Sequence, residues 1–375
     1  MKFKFPLCGS SCFSSSRSNS KPTISTTSPG EQNHGNLRIF STQELQIATR
    51  GFSSSNKIGE GAFGSVYRGH LADGSVVAVK VLSVEIESMR GEREFISELA
   101  ALSNIKHANL VELQGCCVDG ANRYLVFDYM ENNSLAQTLL GKEQNRMKFS
   151  WEARRDISLG VARGLAYLHE EVQPHIVHRD IKASNILLDR NFAPKVADFG
   201  LSRILRDQAS HISTRVAGTL GYLAPEYAIT GHLTRKSDVY SFGVLLLEII
   251  SGRSVVDFDL ELGEHYLVRK AWQAYKSNKL MQVVDPALKM NFPEEEAFRF
   301  LMVSLLCVQE TAKLRPHMSM AVKMLTNETD IRDVQISQPG LVPNLKDIRL
   351  PQKHTSESTS SGGSTIMSLP STTYF

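Results

Sequence analysis

The sequence has no apolar run long enough to cross a bilayer. The two longest, residues 241–250 and 298–308, fall well short of the roughly 20 residues that a spanning helix needs, and Glu248 interrupts the first. Both are expected to be buried helices. A secretory signal is also missing, because Lys2 and Lys4 are followed by only a few apolar residues before Gly9-Ser10-Ser11. No ectodomain and no membrane span are therefore expected. Charge of one sign is scarce too: Lys and Arg total 42 against 39 for Asp and Glu, and the net +3 gives no reason to expect a nucleic-acid partner. Cysteine is sparse and odd in number, at five, with no zinc-site or disulfide-framework spacing. Cys116 and Cys117 lie together in one apolar run and Cys307 in another, which points to a reducing intracellular compartment, cytoplasmic in the simplest reading.

What is present suffices for two lobes with real cores, given 375 residues of ordinary hydrophobic content. Residues 1–38 are rich in Ser and Thr, carry no acid before Glu31 and show no apolar period, so a disordered tail is expected there. That composition would also suit a plastid transit peptide, although no amphipathic Arg-rich helix is visible. Residues 329–375 return to Ser, Thr, Pro and Gly and predict a second, mostly flexible tail. Between the tails, residues 39–51 form a lead-in segment, 52–130 a small β-rich lobe and 131–328 a larger helical lobe, joined near residues 128–132. The fold class is α+β and bilobal. Residues 65–69 and 76–81 read as antiparallel strands about the turn Ala72-Asp73-Gly74-Ser75, and residues 124–127 as a buried strand. Helices are expected over 92–105, 156–170, 239–251 and 298–309, the first on apolar positions Phe95, Ile96, Leu99, Leu102 and Ile105.

Chemistry concentrates in His178-Arg179-Asp180, Lys182, Asn185 and Asp198-Phe199-Gly200. Asp180 can accept a hydroxyl proton, Lys182 is a point charge for a phosphoryl group, and Asn185 with Asp198 offers hard oxygen ligands suited to Mg²⁺. Three polar residues alone would be a solvated turn. Upstream, Gly59-Glu60-Gly61-Ala62-Phe63-Gly64 gives G-x-G-x-x-G, a spacing shared with dinucleotide-binding folds and with bland surface turns. Here strands flank the glycines on both sides. They can lay a hairpin over phosphates, their N–H groups close because no Cβ intervenes. Lys80 closes a Val-Ala-Val-Lys strand, and Glu98 lies eighteen positions later on the first expected helix. A buried lysine needs an anionic partner, and Glu98 is the expected one. Glu94 is the rival, but its place next to Phe95 suggests the more exposed face.

Residues 52 to about 325 resemble a eukaryotic protein kinase domain, with every major motif in order. Gly218-Thr219, Gly221-Tyr222-Leu223-Ala224-Pro225-Glu226 and Ser237-Asp238-Val239-Tyr240-Ser241-Phe242-Gly243 are similar to the plant receptor-like and Pelle/IRAK branch, as is the lead-in Phe40-Ser41-Thr42-Gln43-Glu44-Leu45. More narrowly, the chain resembles that branch's cytoplasmic members of the cold-responsive protein kinase type. The resemblance implies transfer of a phosphoryl group from ATP, with Mg²⁺ or alternatively Mn²⁺, to Ser or Thr of protein substrates. It implies Asp180, Lys182, Lys80 and Glu98 as catalytic residues and Asn185 with Asp198 as metal ligands. Phe127 would be the gatekeeper, Asp128-Tyr129-Met130 the adenine-binding hinge, Gly59, Gly61 and Gly64 the phosphate loop, and Ile58, Val66, Ala78 and Leu187 the ring's sandwich. Leu102, Leu113, His178 and Phe199 would stack as an internal spine, Asp238 would hold the catalytic loop, and Glu226 would pair with Arg315. For the apolar members, ordinary core packing is the competing reading.

Three further readings complete the set. Lys182 favours Ser/Thr acceptors, because relatives that phosphorylate tyrosine usually have Ala and Arg in that loop; some tyrosine activity stays open. A pseudokinase would lack at least one essential group, whereas Lys80, Glu98, Asp180, Asn185 and Asp198 are all present. A nucleotide-binding oxidoreductase would need a strand-to-helix glycine turn that the chain does not offer. Arg179 beside Asp180 is a countercharge for a phosphate on Thr214 or Ser213, with Thr219 the weaker candidate. An upstream receptor kinase is one candidate partner for such a switch, with autophosphorylation as the other route. Finally, Cys8 and Cys12 beside Lys2 and Lys4 could be palmitoylated and give peripheral contact with the inner face of the plasma membrane, or stay two unmodified thiols.

Overall fold

The computed structural model describes residues 37–61, 64–83, 89–141, 143–205, 210–255, 267–332 and 334–341. The amino-terminal segment with Cys8 and Cys12, residues Ala62 and Phe63 and residues from 342 onward lie outside the described residues.

The first lobe is a six-stranded sheet in the order β1-β5-β6-β4-β3-β2. Its strands are β1 (Arg38–Ile39), β2 (Lys57–Gly61), β3 (Gly64–His70), β4 (Val76–Ser83), β5 (Leu113–Asp119) and β6 (Asn122–Asp128). All neighbours are antiparallel except β1, which runs parallel to β5. The β3–β4 turn forms as its residues dictate, with Asp73 Oδ1 accepting from Ser75 N at 2.9 Å and Gly74 at φ 87°. Period-two alternation on β4 then decides the lobe's function. Val77 and Val79 pack into an outer core with Phe40, Leu45 and Tyr124, so Ala78 and Lys80 project from the opposite face.

Helix α1 (Thr42–Thr49) starts at Ser41, whose hydroxyl accepts from Glu44 N, and it packs on this outer core through Leu45 and Ala48. Phe40 and Leu45 are buried, which contributes on the order of 2 kcal/mol each. Strand β1 crosses the boundary expected at residue 38. Gly115 permits this: a Cβ there would lie 1.9 Å from Arg38 O and 2.7 Å from Phe40 Cε2.

Helix α2 (Arg90–Leu102) packs across the sheet on its inner side. It stops before Ile105, because the polar pair Ser103-Asn104 is a poor helix continuation. Ile96, expected among its inward positions, is 55% exposed.

The second lobe is helical: α3 (Glu143–Arg146), α4 (Trp151–Ala166), α5 (Pro225–Thr230), α6 (Arg235–Ser251), α7 (Leu267–Lys276), α8 (Glu294–Cys307) and α9 (Met318–Leu325). Helices α4, α6 and α8 begin four or five residues before the apolar periodicity suggests: the first turns of α6 and α8 are polar, and α4 opens on the Ser150 cap and Trp151 ahead of its periodic run. Ser150 and Thr234 accept from backbone N–H groups, and Glu294, Glu295 and Glu296 face the α8 amino end. Every residue of α6 from Ser237 to Ser251 is buried, the signature of a helix that runs through the core. Short strand pairs sit on this lobe: β7 (His175–Val177) with β10 (Arg203–Leu205), β8 (Ile186–Leu188) with β9 (Pro194–Val196), and β11 (Ile212–Ser213) with β12 (His232–Leu233).

At the carboxyl end, structure extends past the boundary expected at residue 328. Gly340 N donates to Val308 O at 3.0 Å, Tyr240 Oη donates to Gly340 O at 2.7 Å, and Ser337 N and Oγ both donate to Gln309 Oε1. These bonds satisfy polar groups at the end of α8, and Ile336 and Leu341 pack against the core, which together hold this segment on the lobe.

Candidate active site

A cleft between the lobes collects the residues singled out in the sequence. Ile58, Gly59, Val66, Ala78 and Lys80 come from the sheet, Phe127, Asp128 and Met130 from β6 and its exit, and Asn185, Leu187 and Asp198 from the helical lobe. Gly61 and Gly64 face each other at the end of the β2–β3 hairpin and do not line the cleft. Sequence reasoning missed Val111, Ala197 and the segment with Asn133, Ser134 and Gln137, all of which line it. These lie on irregular connections where no period exists to read. The walls from Ile58, Val66, Ala78 and Leu187 are aliphatic, and Phe127 stands opposite Ala78 in the β4–β6 register.

Lys80 Nζ lies 2.6 Å from Glu98 Oε1, 3.1 Å from Asp198 Oδ1 and 2.5 Å from Glu94 Oε1. The expectation that Glu94 faces outward is wrong: it is 7% exposed and shares the lysine. Glu94 and Glu98 are four residues apart and so project from one helix face, while adjacency to Phe95 says nothing about which side of the apolar stripe Glu94 takes. Burial alone would push Lys80 toward neutrality, but Asp198, Glu98 and Glu94 outweigh it and hold the ammonium well above its usual range. Burial pushes Glu98 up to about 7 against the pull of Lys80. Asp198 is held below the usual carboxylate range, since Lys80 and Lys182 overcome its burial.

On the other side of the cleft, Asp238 from α6 is 1% exposed and fixes the loop carrying Asp180. Its Oδ2 accepts from His178 N at 2.7 Å, its Oδ1 from Arg179 N at 2.7 Å, and His169 Nε2 lies 2.9 Å from Oδ2. Arg179 sits at φ 76°, a conformation that costs roughly 1–3 kcal/mol and needs such an anchor. His178 stacks edge-on to Phe199 at 4.8 Å, both fully buried, with Leu102 and Leu113 in the same core. Arg315 donates to both Glu226 oxygens, at 2.7 and 2.8 Å.

Asp180 Oδ2 is 3.0 Å from Lys182 Nζ, and Asn185 Nδ2 donates to Asp180 O at 2.9 Å and Oδ2 at 3.2 Å. These bonds fix which way the Asn185 amide points. Its Oδ1 is buried without a hydrogen-bond partner, a costly arrangement unless a cation is bound there. A buried free amide oxygen with the ionised Asp198 carboxylate is a donor set that fits Mg²⁺. Arg179 Nη2 lies 3.4 Å from Thr214 Oγ1, and its Nε donates to Tyr227 Oη at 2.7 Å. Ser213, on β11, is exposed and pairs in register with His232.

A glycine hairpin over a cleft, a lysine held by a helix carboxylate, and a loop Asp beside an Asn and a second Asp define a protein kinase. The family model for protein tyrosine and serine/threonine kinase matches residues 52–325, and the chain belongs to that family. It is 51% identical over 343 residues to cold-responsive protein kinase 1 of Arabidopsis thaliana, covering 88% of this chain and 87% of that protein. It is 64% identical over 245 residues to a putative serine/threonine-protein kinase of Helianthus annuus, 65% of this chain and all of that one. A probable LRR receptor-like serine/threonine-protein kinase of Arabidopsis thaliana is 51% identical over 308 residues, 82% of this chain but 29% of the relative. No helix among the described residues is long and apolar enough to cross a membrane.

Proposed function

We propose that the chain transfers the γ-phosphoryl group of ATP to serine and threonine hydroxyls of protein substrates. One observation carries this reading. Thr219 Oγ1 donates to Asp180 Oδ1 at 2.7 Å and accepts from Lys182 Nζ at 2.9 Å, so an aliphatic hydroxyl is already held between a carboxylate and an ammonium, as an acceptor hydroxyl would be. Asp180 orients that hydroxyl and takes its proton, and Lys182 offsets negative charge on the transferring group. Lys80 aligns the phosphates, Glu98 keeps Lys80 in place, and the aliphatic walls take the adenine. Asn185 and Asp198 would hold Mg²⁺, with Mn²⁺ as the alternative, and the ion supplies positive charge to the phosphate oxygens. The test is incubation with γ-labelled ATP and a generic protein substrate, followed by phosphosite mapping. Label on serine and threonine is expected; no transfer, or label on tyrosine alone, refutes the reading.

A second observation supports regulation by phosphorylation. Arg179 already reaches Thr214, and a phosphate there would add about −1.5 to −2 charge facing a guanidinium. Phosphatase treatment should lower wild-type activity and leave Thr214→Ala and Arg179→Ala unresponsive; a fully responsive Arg179→Ala contradicts the coupling. Likeness to receptor-like plant kinases supports an upstream receptor kinase as partner. Lipidation of Cys8 and Cys12 would add peripheral membrane contact, and unchanged fractionation of a Cys8→Ser/Cys12→Ser variant excludes it.

A further inference from the structure

A second cavity, of about 450 Å³, lies in the helical lobe where α6 ends, between the residues that follow α3 and the turn at Asp285. From Asp238 to Gly252 helix α6 rises about 20 Å at 1.5 Å per residue, so this cavity is separate from the cleft. Arg146, Arg253 and Lys289 bring three cations to it, and Asp285 is the one acid among the described lining residues. That acid is already matched. Asp285 is 2% exposed, and its Oδ2 lies 2.7 Å from Nη2 of the buried Arg154 and 3.4 Å from Arg146 Nε. Arg146 Nη1 also donates to Gly252 O at 3.1 Å, which fixes its guanidinium in the wall. Arg253 and Lys289 are exposed, and neither side chain is paired with a carboxylate among the described residues. Lys289 is moreover held at φ 49°, a left-handed conformation that costs a lysine energy and that clusters at ligand clamps.

We propose that this cavity binds a phosphate monoester on a serine or threonine side chain of a protein partner, and so docks a partner that is already phosphorylated. Three cations against one carboxylate leave the lining at +2, which matches the roughly −1.5 to −2 of a phosphorylated side chain and exceeds what a single carboxylate can offset. Two of the three cations are guanidinium groups, planar forks that grip phosphate oxygens in pairs. Arg154, behind Asp285, keeps that acid from repelling the ligand. An anionic lipid surface fits less well. The Trp151–Glu296 hydrogen bond sets the acidic start of α8 beside the wall that carries Arg146, and Glu294 and Glu295 are exposed there. A broad negative surface would meet those charges, whereas one protruding phosphate need not.

The test is calorimetric titration of the full chain, its cleft saturated with Mg·ADP, with a short neutral peptide carrying one phosphothreonine. The same peptide with glutamate in place of phosphothreonine, and vesicles containing a phosphoinositide, are run beside it. The phosphopeptide should bind at one site and weaken as salt rises. The Arg253→Gln/Lys289→Gln variant should lose at least about tenfold in affinity, since two charged hydrogen-bonding partners are gone. Its melting temperature and its phosphorylation of a generic substrate should stay at wild-type values, because both side chains are exposed and lie outside the cleft. Arg253→Lys/Lys289→Arg, which keeps both charges, should retain most of the binding. No phosphopeptide binding, equal binding of the glutamate peptide, or undiminished binding by Arg253→Gln/Lys289→Gln overturns the proposal. Vesicle binding that needs Arg253 and Lys289, without phosphopeptide binding, overturns it in favour of a membrane site.

Discussion

Replacing Asp238 by Asn tests how the reactive loop is held. The native carboxylate accepts two backbone N–H groups at 2.7 Å, one on each oxygen, and lies 2.9 Å from His169 Nε2. Asparagine has one acceptor oxygen. Whichever way the amide turns, its NH₂ faces a backbone donor that previously had a charged partner. One or two charge-assisted bonds are lost, at about 1.5–3 kcal/mol each, giving about 1.5–6 kcal/mol in all. Arg179 at φ 76° is then without its anchor, and relaxation there moves Asp180, the next residue. A displacement of about 1 Å at a reacting group costs on the order of 10²-fold in rate. Asp238→Asn should therefore lose on the order of 10²-fold in kcat while KM for ATP changes little, since the cleft walls do not depend on Asp238. Thermal unfolding should fall by several degrees, roughly 2–4 °C per kcal/mol. Steady-state kinetics with varied ATP and a thermal melt measure both. Wild-type kcat together with a wild-type melting temperature would refute the argument that Asp238 fixes the loop.

Gly115→Ala should expel β1 and the Phe40 side chain, because the added Cβ meets backbone at 1.9 Å; hydrogen exchange over residues 37–49 should rise sharply, and unchanged protection contradicts the close approach. Glu248→Gln should flatten the pH dependence of stability. Burial pushes the Glu248 carboxyl up to about 8, with Tyr222 Oη and Val255 N as its hydrogen-bond donors. A carboxyl raised in the folded state contributes stability below its unfolded value near 4.5 and loses it as pH rises through about 8, by up to roughly 1.4 kcal/mol per pH unit. Wild type should therefore lose more thermal stability than Glu248→Gln between pH 6 and 8, and equal losses count against a raised Glu248.

The two-lobe plan was legible because its signals are local. The Asp73-Gly74 turn fixes the β3–β4 hairpin, alternation along residues 76–81 separates core from cleft, and the run from His178 to Gly200 keeps its reactive groups close in sequence. Periodicity sees apolar residues and so places helix starts late, since α6 opens on Thr234 and charged residues, α8 on three acids, and α4 on the Ser150 cap with Trp151 isolated from its later apolar run. Other features depend on contacts across the chain that no window of sequence contains. The β1 strand lies on Gly115, Val111 donates its N–H to Val196 O, and residues 337–340 bond to Gln309 and Tyr240. Glu94 is the instructive error. Its burial follows from the missing side chain of Gly200, more than a hundred residues later, and helical periodicity carries no trace of that.

The central claim is that Asp180 serves the acceptor hydroxyl and not the nucleotide. Asp180 does not line the nucleotide cleft, while it accepts a hydrogen bond from the Thr219 hydroxyl. Single-turnover phosphoryl transfer by Asp180→Asn, with ATP affinity measured on the same protein, tests this directly. ATP affinity should stay near the wild-type value and the transfer rate should fall by on the order of 10²-fold or more, the range of general-base contributions. Transfer at the wild-type rate would contradict the assignment.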